Sequence, residues 1–170
     1  MAKKLIALGA LFLIGTGCDL PDRVGRLEKE TKELRADVDK TRAASDYDLQ
    51  AKCSKDAGAW FKENWGLPDK DTVLLDYKNH YNRKQNKCFI LVEWHYNSHF
   101  AGEGGSSWTN DMSITNVYEN EKYGNYSANT YTYYKPTVTT NSEVIRCEFL
   151  GQKCTTLEGF NNAVRPYLND

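Results

Sequence analysis

Two stretches in which apolar and polar residues alternate flank the polar segment 83–86, and this pattern restricts the fold more than any other feature. A period of two is that of a β-strand with one buried face. An antiparallel hairpin that turns at residues 84 and 85 brings the two apolar sets onto one face of the sheet. The predicted cross-strand pairs are Tyr81 with Cys88, Tyr77 with Val92 and Leu75 with Trp94, and the apolar set also includes Val73.

The sequence of the rest of the globular part predicts more strands and two helices. Apolar positions at helical spacing predict a first helix that ends near residues 66–68, with a face formed by Leu49, Cys53, Ala57 and Trp60. Further strands are predicted at 111–119, 123–134 and 143–149, and a capping-box pattern at Thr155 predicts a C-terminal helix. The expected fold is α+β: an antiparallel β-meander of about five strands, packed on one face by an N-terminal and a C-terminal helix and preceded by a helical stalk.

The N-terminus has the residue order of a secretory signal. Lys3 and Lys4 precede an apolar run at 5–14 and small residues at 15–17, and the run is too short to span a bilayer as a helix. Cys18, which follows this run directly, resembles the cysteine of the lipobox in bacterial lipoproteins. The resemblance implies that residues 1–17 are cleaved and that Cys18 becomes the acylated first residue, which anchors the protein in a membrane.

Asp19 and the net charge refine this address. Asp19 resembles the retention signal of enteric-type lipoproteins, which implies the inner membrane on its periplasmic face, with the outer membrane as the alternative. Cleavage after residue 17 removes Lys3 and Lys4 and moves the formal net charge from −1 to −3. A chain without basic excess is not expected to bind nucleic acid or an anionic lipid surface by charge.

Four cysteines remain after Cys18, and an even number in an exported chain predicts two disulfides with three possible connectivities. Cys53 lies on the apolar stripe of the first predicted helix and Cys88 on the core side of the second strand. The segment 147–154 forms a predicted hairpin that turns at residues 150 and 151, which places Cys147 opposite Cys154. We therefore predict the bonds Cys53–Cys88 and Cys147–Cys154. The cysteines are too scattered for a zinc site.

Residues 19–45 form a charged segment without aromatic residues. Its apolar positions follow alternating steps of three and four, as in a coiled coil, and are Val24, Leu27, Thr31, Leu34, Val38 and Thr41. This organisation is similar to the helical stalk of small envelope lipoproteins. The segment is either a homo-oligomeric coil or a monomeric helical spacer. The predicted domains are a cleaved signal at 1–17, an anchored helical stalk at 18–46 and a disulfide-bonded globular domain at 47–170.

Candidate site residues concentrate in the middle of the chain. The stretch 99–111 reads as one irregular loop, and we predict a binding loop with His99, Glu103 and Trp108, the alternative being that Trp108 lies in the core. His95 and His99 are four residues apart on a strand, too far for one metal ion. No catalytic residue, metal site or cofactor is predicted. The tyrosine-rich stretch 118–134 is either a sugar- or protein-binding surface or a pair of strands with aromatic cross-strand contacts.

The expected function is that of an anchored interaction module that binds an envelope protein or a foreign protein. A hydrolase is the alternative, in which Glu93 or Asp111 meets His95 or His99 in a pocket. A structural role, in which residues 19–45 assemble a homo-oligomer, is the third hypothesis.

Overall fold

A computed structural model describes residues 20–100, 104–135 and 137–169. The described fold is α+β, with one six-stranded antiparallel sheet in which strands adjacent in sequence are neighbours, and two helices. In chain order the elements are helix α1 (Leu20–Asn64), strands β1 (Thr72–Asn82), β2 (Lys87–Phe100), β3 (Gly105–Asn116), β4 (Glu121–Tyr133), β5 (Thr139–Phe149) and β6 (Gln152–Lys153), and helix α2 (Leu157–Leu168). Among the residues described, no helix is long and apolar enough to cross a membrane.

The chain divides into two units between Ala43 and Ala44, and α1 contributes to both. Neither glycine nor proline occurs between Gly25 and Ala57, so nothing in this part of the sequence breaks the helix. In the first unit every described residue from Asp22 onward is exposed. The apolar positions of the predicted coil are therefore uncovered in this chain; Leu34, for example, is 65% exposed.

The second unit, which begins at Ala44, contains the sheet, and the predicted β1–β2 register is confirmed. The observed pairs include Tyr81 with Cys88, Tyr77 with Val92 and Leu75 with Trp94. Val73, which was predicted on the same face, has no cross-strand partner in the described β1–β2 pairing. The register shifts between Thr72 and Leu74, and this irregularity leaves Val73 55% exposed.

The first of two cores lies between α1 and one face of the hairpin. Cys53 and Ala57 of α1 pack with alternate residues of β2, namely Cys88, Ile90 and Val92. All five side chains are at most 1% exposed. This face is the one that the alternating pattern predicted.

The second core lies on the opposite face of the same sheet. Phe89 and Leu91, the intervening residues of β2, pack in one cluster with Phe160 and Val164 of α2. The expectation that both helices cover one face is therefore wrong. Residues 88–92 form a continuous apolar run, which is typical of a strand buried on both faces. This run is the sequence feature that corresponds to the second core.

Both predicted disulfides are present, Cys53–Cys88 and Cys147–Cys154. The first joins α1 to β2 across a sequence separation of 35, and the second spans a separation of 7. Chain-entropy estimates give about 4 kcal/mol of stabilisation for the longer loop and about 2 kcal/mol for the shorter one. The first bond therefore carries more of the stability of the second unit.

The hairpin that carries the second disulfide accounts for the sixth strand, against an expected count of about five. It turns at Leu150 and Gly151, whose φ angles of 48° and 76° are both in the left-handed region of two-residue β-turns. Its short return arm is β6. The N-cap of α2 is Thr156, whose Oγ1 accepts a hydrogen bond from the Gly159 amide, and not Thr155 as predicted.

Candidate binding surface

The predicted site residues fall into two groups. Cys18 and Glu103 lie outside the described residues. His99 and Trp108 lie in paired strands rather than in an irregular loop, since His99 of β2 pairs with Ser106 of β3 and Trp108 pairs with Asn97. Trp108 is 36% exposed, so it is not part of the core either. Most of the predicted loop is thus part of β3. The structure instead forms a surface from residues of several strands.

That surface is the part of the sheet that lies beyond the two cores, here named the distal sheet: residues 94–100 of β2, 105–111 of β3, 127–133 of β4 and 139–145 of β5. Of the residues in these four ranges only Gly105 is buried. The β2 part alone spans seven residues, about 24 Å at about 3.4 Å per residue. The distal sheet therefore presents partly exposed side chains on both faces.

One face of the distal sheet carries five aromatic side chains and is named the aromatic face. Even-numbered residues of β2 lie on the side that packs against α1, and the register places odd-numbered residues of β3 and β4 beside them. The aromatic residues of this face are Trp94, Tyr96, Phe100, Tyr131 and Tyr133. Its other residues on β2, β3 and β4 are Ser98, Gly105, Ser107, Thr109, Asp111, Ser127 and Asn129.

Gly105 lets three of these rings come together. A Cβ atom at this position would lie 2.8 Å from the Thr132 carbonyl oxygen and 3.0 Å from the Phe100 ring. Without that atom, the Phe100 ring lies 6.4 Å from the ring of Tyr131 and 6.3 Å from that of Tyr133, at interplanar angles of 21° and 24°. An aromatic ring over a strand glycine is a known device for stabilising a sheet, and here it fixes a partly exposed cluster.

Hydrogen bonds hold the polar residues of the aromatic face in a defined arrangement. Thr109 Oγ1 donates a hydrogen bond to Asn129 Oδ1, and Asn129 Nδ2 donates one to the Tyr131 hydroxyl. Each donor–acceptor distance is 2.9 Å. The hydroxyl oxygens of Ser98 and Ser107 are also 2.9 Å apart. Asn129 thereby orients the Tyr131 ring from a neighbouring position on the same strand.

The remaining two rings are held by the segment between α1 and β1. The Tyr96 hydroxyl lies 3.4 Å from Asp71 Oδ2, and the negative charge of Asp71, together with burial, raises the pKa of Tyr96 above its ordinary value. The Tyr96 ring centroid is 5.6 Å from that of Trp94, which packs edge-on against Trp65 at 6.4 Å. All five rings of the aromatic face are thus positioned by identified neighbours.

The distal sheet has an unusual charge composition. Its four ranges contain no Lys or Arg, although the chain has 22 such residues. Its two carboxylates are Asp111 and Glu143. Asp111 pairs across the strands with Trp94 and Ser127, and its side chain makes no hydrogen bond or ion pair to any residue that the structure describes.

The opposite face carries a Glu–His contact. His95 Nε2 lies 3.0 Å from Glu93 Oε1, but without hydrogen-bond geometry, and the contact becomes an ion pair only when His95 is protonated. The His95 ring is 5.5 Å from that of Trp108. The buried Oδ1 of Asn110 has no hydrogen-bond partner among the described residues. Asn110 and Trp108 both line a cavity of about 350 Å³.

This arrangement decides which acid can meet a histidine. Asp111 lies on the aromatic face, while His95 and His99 lie on the opposite face, so strand alternation separates Asp111 from both histidines. Glu93 alone meets His95. Within the described ranges no group of three or more His, Cys, Asp or Glu residues could hold a metal ion.

No protein-family model, no curated protein and no solved structure matches the chain.

We predict that Gly105→Ala disturbs the aromatic face and lowers stability by about 1–3 kcal/mol, because the added methyl group displaces the Phe100 ring or the Thr132 backbone. Urea unfolding gives the loss of stability, and near-ultraviolet circular dichroism reports the change in ring packing. Gly66→Ala is the matched control, since nothing lies within 4 Å of a Cβ there, and it should shift stability by less than about 0.5 kcal/mol. Equal behaviour of the two variants would contradict the role of Gly105.

Proposed function

We propose that the protein is a lipid-anchored binding module of a bacterial envelope, in which Cys18 holds the mature chain on a membrane and the aromatic face of the distal sheet binds the partner. The observation that carries the binding role is the cluster of five aromatic side chains on a face that neither core buries. Large apolar groups left together at a surface are typical of interaction sites.

The sequence supports the anchor, and the second unit is compatible with an exported protein. The lipobox-like segment assigns Cys18 to acylation, and the other four cysteines form two disulfides, the state expected in an oxidising compartment. Asp19 favours the periplasmic face of the inner membrane, with the outer membrane as the alternative. Helical structure in the described part of residues 18–46 is compatible with the proposed stalk.

Preorganisation supports the binding role of the aromatic face. Ordering a flexible side chain at an interface costs about 0.5–1.5 kcal/mol. On this face the Phe100 ring already lies beside the rings of Tyr131 and Tyr133, and Asn129 holds the Tyr131 hydroxyl. Less of that cost therefore remains when a partner binds, and aromatic side chains supply much of the contact energy in known interfaces.

Two other functions are compatible with particular observations. The 3.0 Å contact between Glu93 and His95 favours a hydrolase as the second candidate, with these residues as the acid–base pair. The exposed apolar positions of α1, among them Leu27 and Leu34, favour a homo-oligomeric coil through residues 19–45. Such a coil would present several aromatic faces together, which strengthens binding through multivalency.

We predict that Cys18→Ser abolishes membrane anchoring. In bacterial cells fed labelled palmitate, the wild-type chain should incorporate the label and need detergent for extraction, because acyl chains gain about 0.8 kcal/mol for each buried methylene. Cys154→Ser, the control for a cysteine elsewhere in the chain, should keep both properties. Unchanged labelling of Cys18→Ser, or an unlabelled wild-type chain, would contradict the anchor.

A photo-crosslinker locates the binding surface in cells. Benzoylphenylalanine in place of Tyr133, on the aromatic face, should give a conjugate of higher mass after irradiation, because the bound partner lies within its reach. The control position is Tyr47 of α1, which is 75% exposed and does not lie on the sheet. Conjugates from position 47 alone, or from neither position, would contradict binding at the aromatic face.

A further inference from the structure

We infer that the ligand of the aromatic face is a neutral oligosaccharide. This ligand assignment rests on the proposed function, since it names the chemistry of the partner that the same surface binds. Three properties of the surface carry it: its charge, the kinds of side chain that it combines, and the unpaired carboxylate of Asp111.

The charge of the surface disfavours the main anionic partners. Nucleic acids, anionic lipids and phosphorylated peptides are held by several Lys and Arg side chains. The four ranges of the distal sheet contain neither residue, and Arg146, which follows the β5 range and pairs with Ser127, is a single cation at their border. The carboxylates of Asp111 and Glu143 repel such partners further. The ligand is therefore either uncharged or carries no more than a few separate positive groups.

The side chains of the aromatic face fit both parts of a sugar unit. The C–H groups of a sugar ring carry slight positive charge and stack on the negative faces of aromatic rings. Its hydroxyl groups need partners that both donate and accept hydrogen bonds, as hydroxyl and amide side chains do. On β2, β3 and β4 the aromatic face combines five aromatic residues with Ser, Thr and Asn, and it carries no aliphatic and no basic side chain.

This composition differs from that of a typical protein-binding patch. Such patches enrich Met and Arg together with aromatic residues, and neither Met nor Arg occurs on the distal sheet. The aliphatic residues of the distal sheet are Ala128, Val144 and Ile145, and Ala128 and Val144 border the cavity beside Trp108 on the opposite face. On β2, β3 and β4, apolar contact on the aromatic face is thus supplied by flat rings alone.

Asp111 adds an acceptor of the kind that sugar hydroxyls use. Its carboxylate makes no hydrogen bond to a described residue, and its cross-strand neighbours are Trp94 and Ser127. Hydrogen bonds to a charged acceptor are about twice as strong as those between neutral groups. A sugar unit that stacks on Trp94 would place its hydroxyls within reach of this carboxylate.

The test uses the purified full chain in detergent and a panel of neutral tetrasaccharides made of glucose (β- and α-linked), N-acetylglucosamine, mannose or xylose. Saturation-transfer NMR detects binding, and titration of the tryptophan fluorescence gives the affinity. We expect at least one tetrasaccharide to bind. Tyr131→Ala and Tyr133→Ala should weaken that binding about tenfold or more, as loss of an aromatic anchor does. Tyr47→Ala, away from the sheet, should bind as the wild type does.

Two results would overturn the inference. One is the absence of binding by every member of the panel at concentrations up to about 10 mM, the range of very weak complexes. The other is binding that Tyr131→Ala and Tyr133→Ala leave unchanged while both variants keep the wild-type circular dichroism. If the crosslinker at position 133 instead captures a defined protein in cells and no tetrasaccharide binds, the glycan assignment fails and the binding module stands. No conjugate and no tetrasaccharide binding would remove both.

Discussion

The alternation of side chains along β2 is the constraint on which the rest of the second unit depends. Its residues 88, 90 and 92 pack toward α1, and the residues between them pack toward α2, so a single strand holds both cores. The Cys53–Cys88 disulfide joins α1 to this strand. Beyond the cores the same alternation continues, and it places Trp94, Tyr96 and Phe100 on one face and His95 on the other.

The two-core arrangement explains how a partly exposed aromatic surface is held in a defined arrangement. α1 ends at Asn64, beside the start of the distal sheet, and Trp65 extends the helix packing to Trp94. From there the sheet continues by hydrogen bonding between strands and by contacts between rings. Gly105 and Asn129 fix the far end of this surface. The binding surface is therefore an extension of the folded core rather than a separate loop.

Much of this fold could be predicted from local patterns, because those patterns reflect local geometry. The register of the hairpin follows from the period of two on either side of residues 83–86, and both disulfide pairings follow from the register and from the turn at Leu150. To predict that the two helices lie on opposite faces, one would have to tell which face of the apolar run 88–92 each helix covers. The periodicity of the sequence does not distinguish the two faces, because such a run has no polar side.

The candidate site was harder to predict for a different reason. Glycines near residue 104 indicated a loop, but Gly105 already lies in β3, and the polar residues that follow, such as Ser107 and Thr109, form a strand because β2 and β4 pair with them on both sides. Strand preference of this kind depends on neighbours rather than on the segment itself. Tyr131 and Phe100 meet across β3 although they are far apart in sequence, and only the register of three strands brings them together.

Photochemically induced dynamic nuclear polarisation, which marks Tyr and Trp side chains that an excited flavin dye can reach, tests most directly whether the aromatic face is uncovered. In the full chain in detergent, we expect strong signals from Tyr131 and Tyr133 and none from Tyr81 and Tyr126, each 6% exposed. Signals from Tyr131 and Tyr133 as weak as those of the two buried tyrosines would contradict the account, because the aromatic face would then be covered.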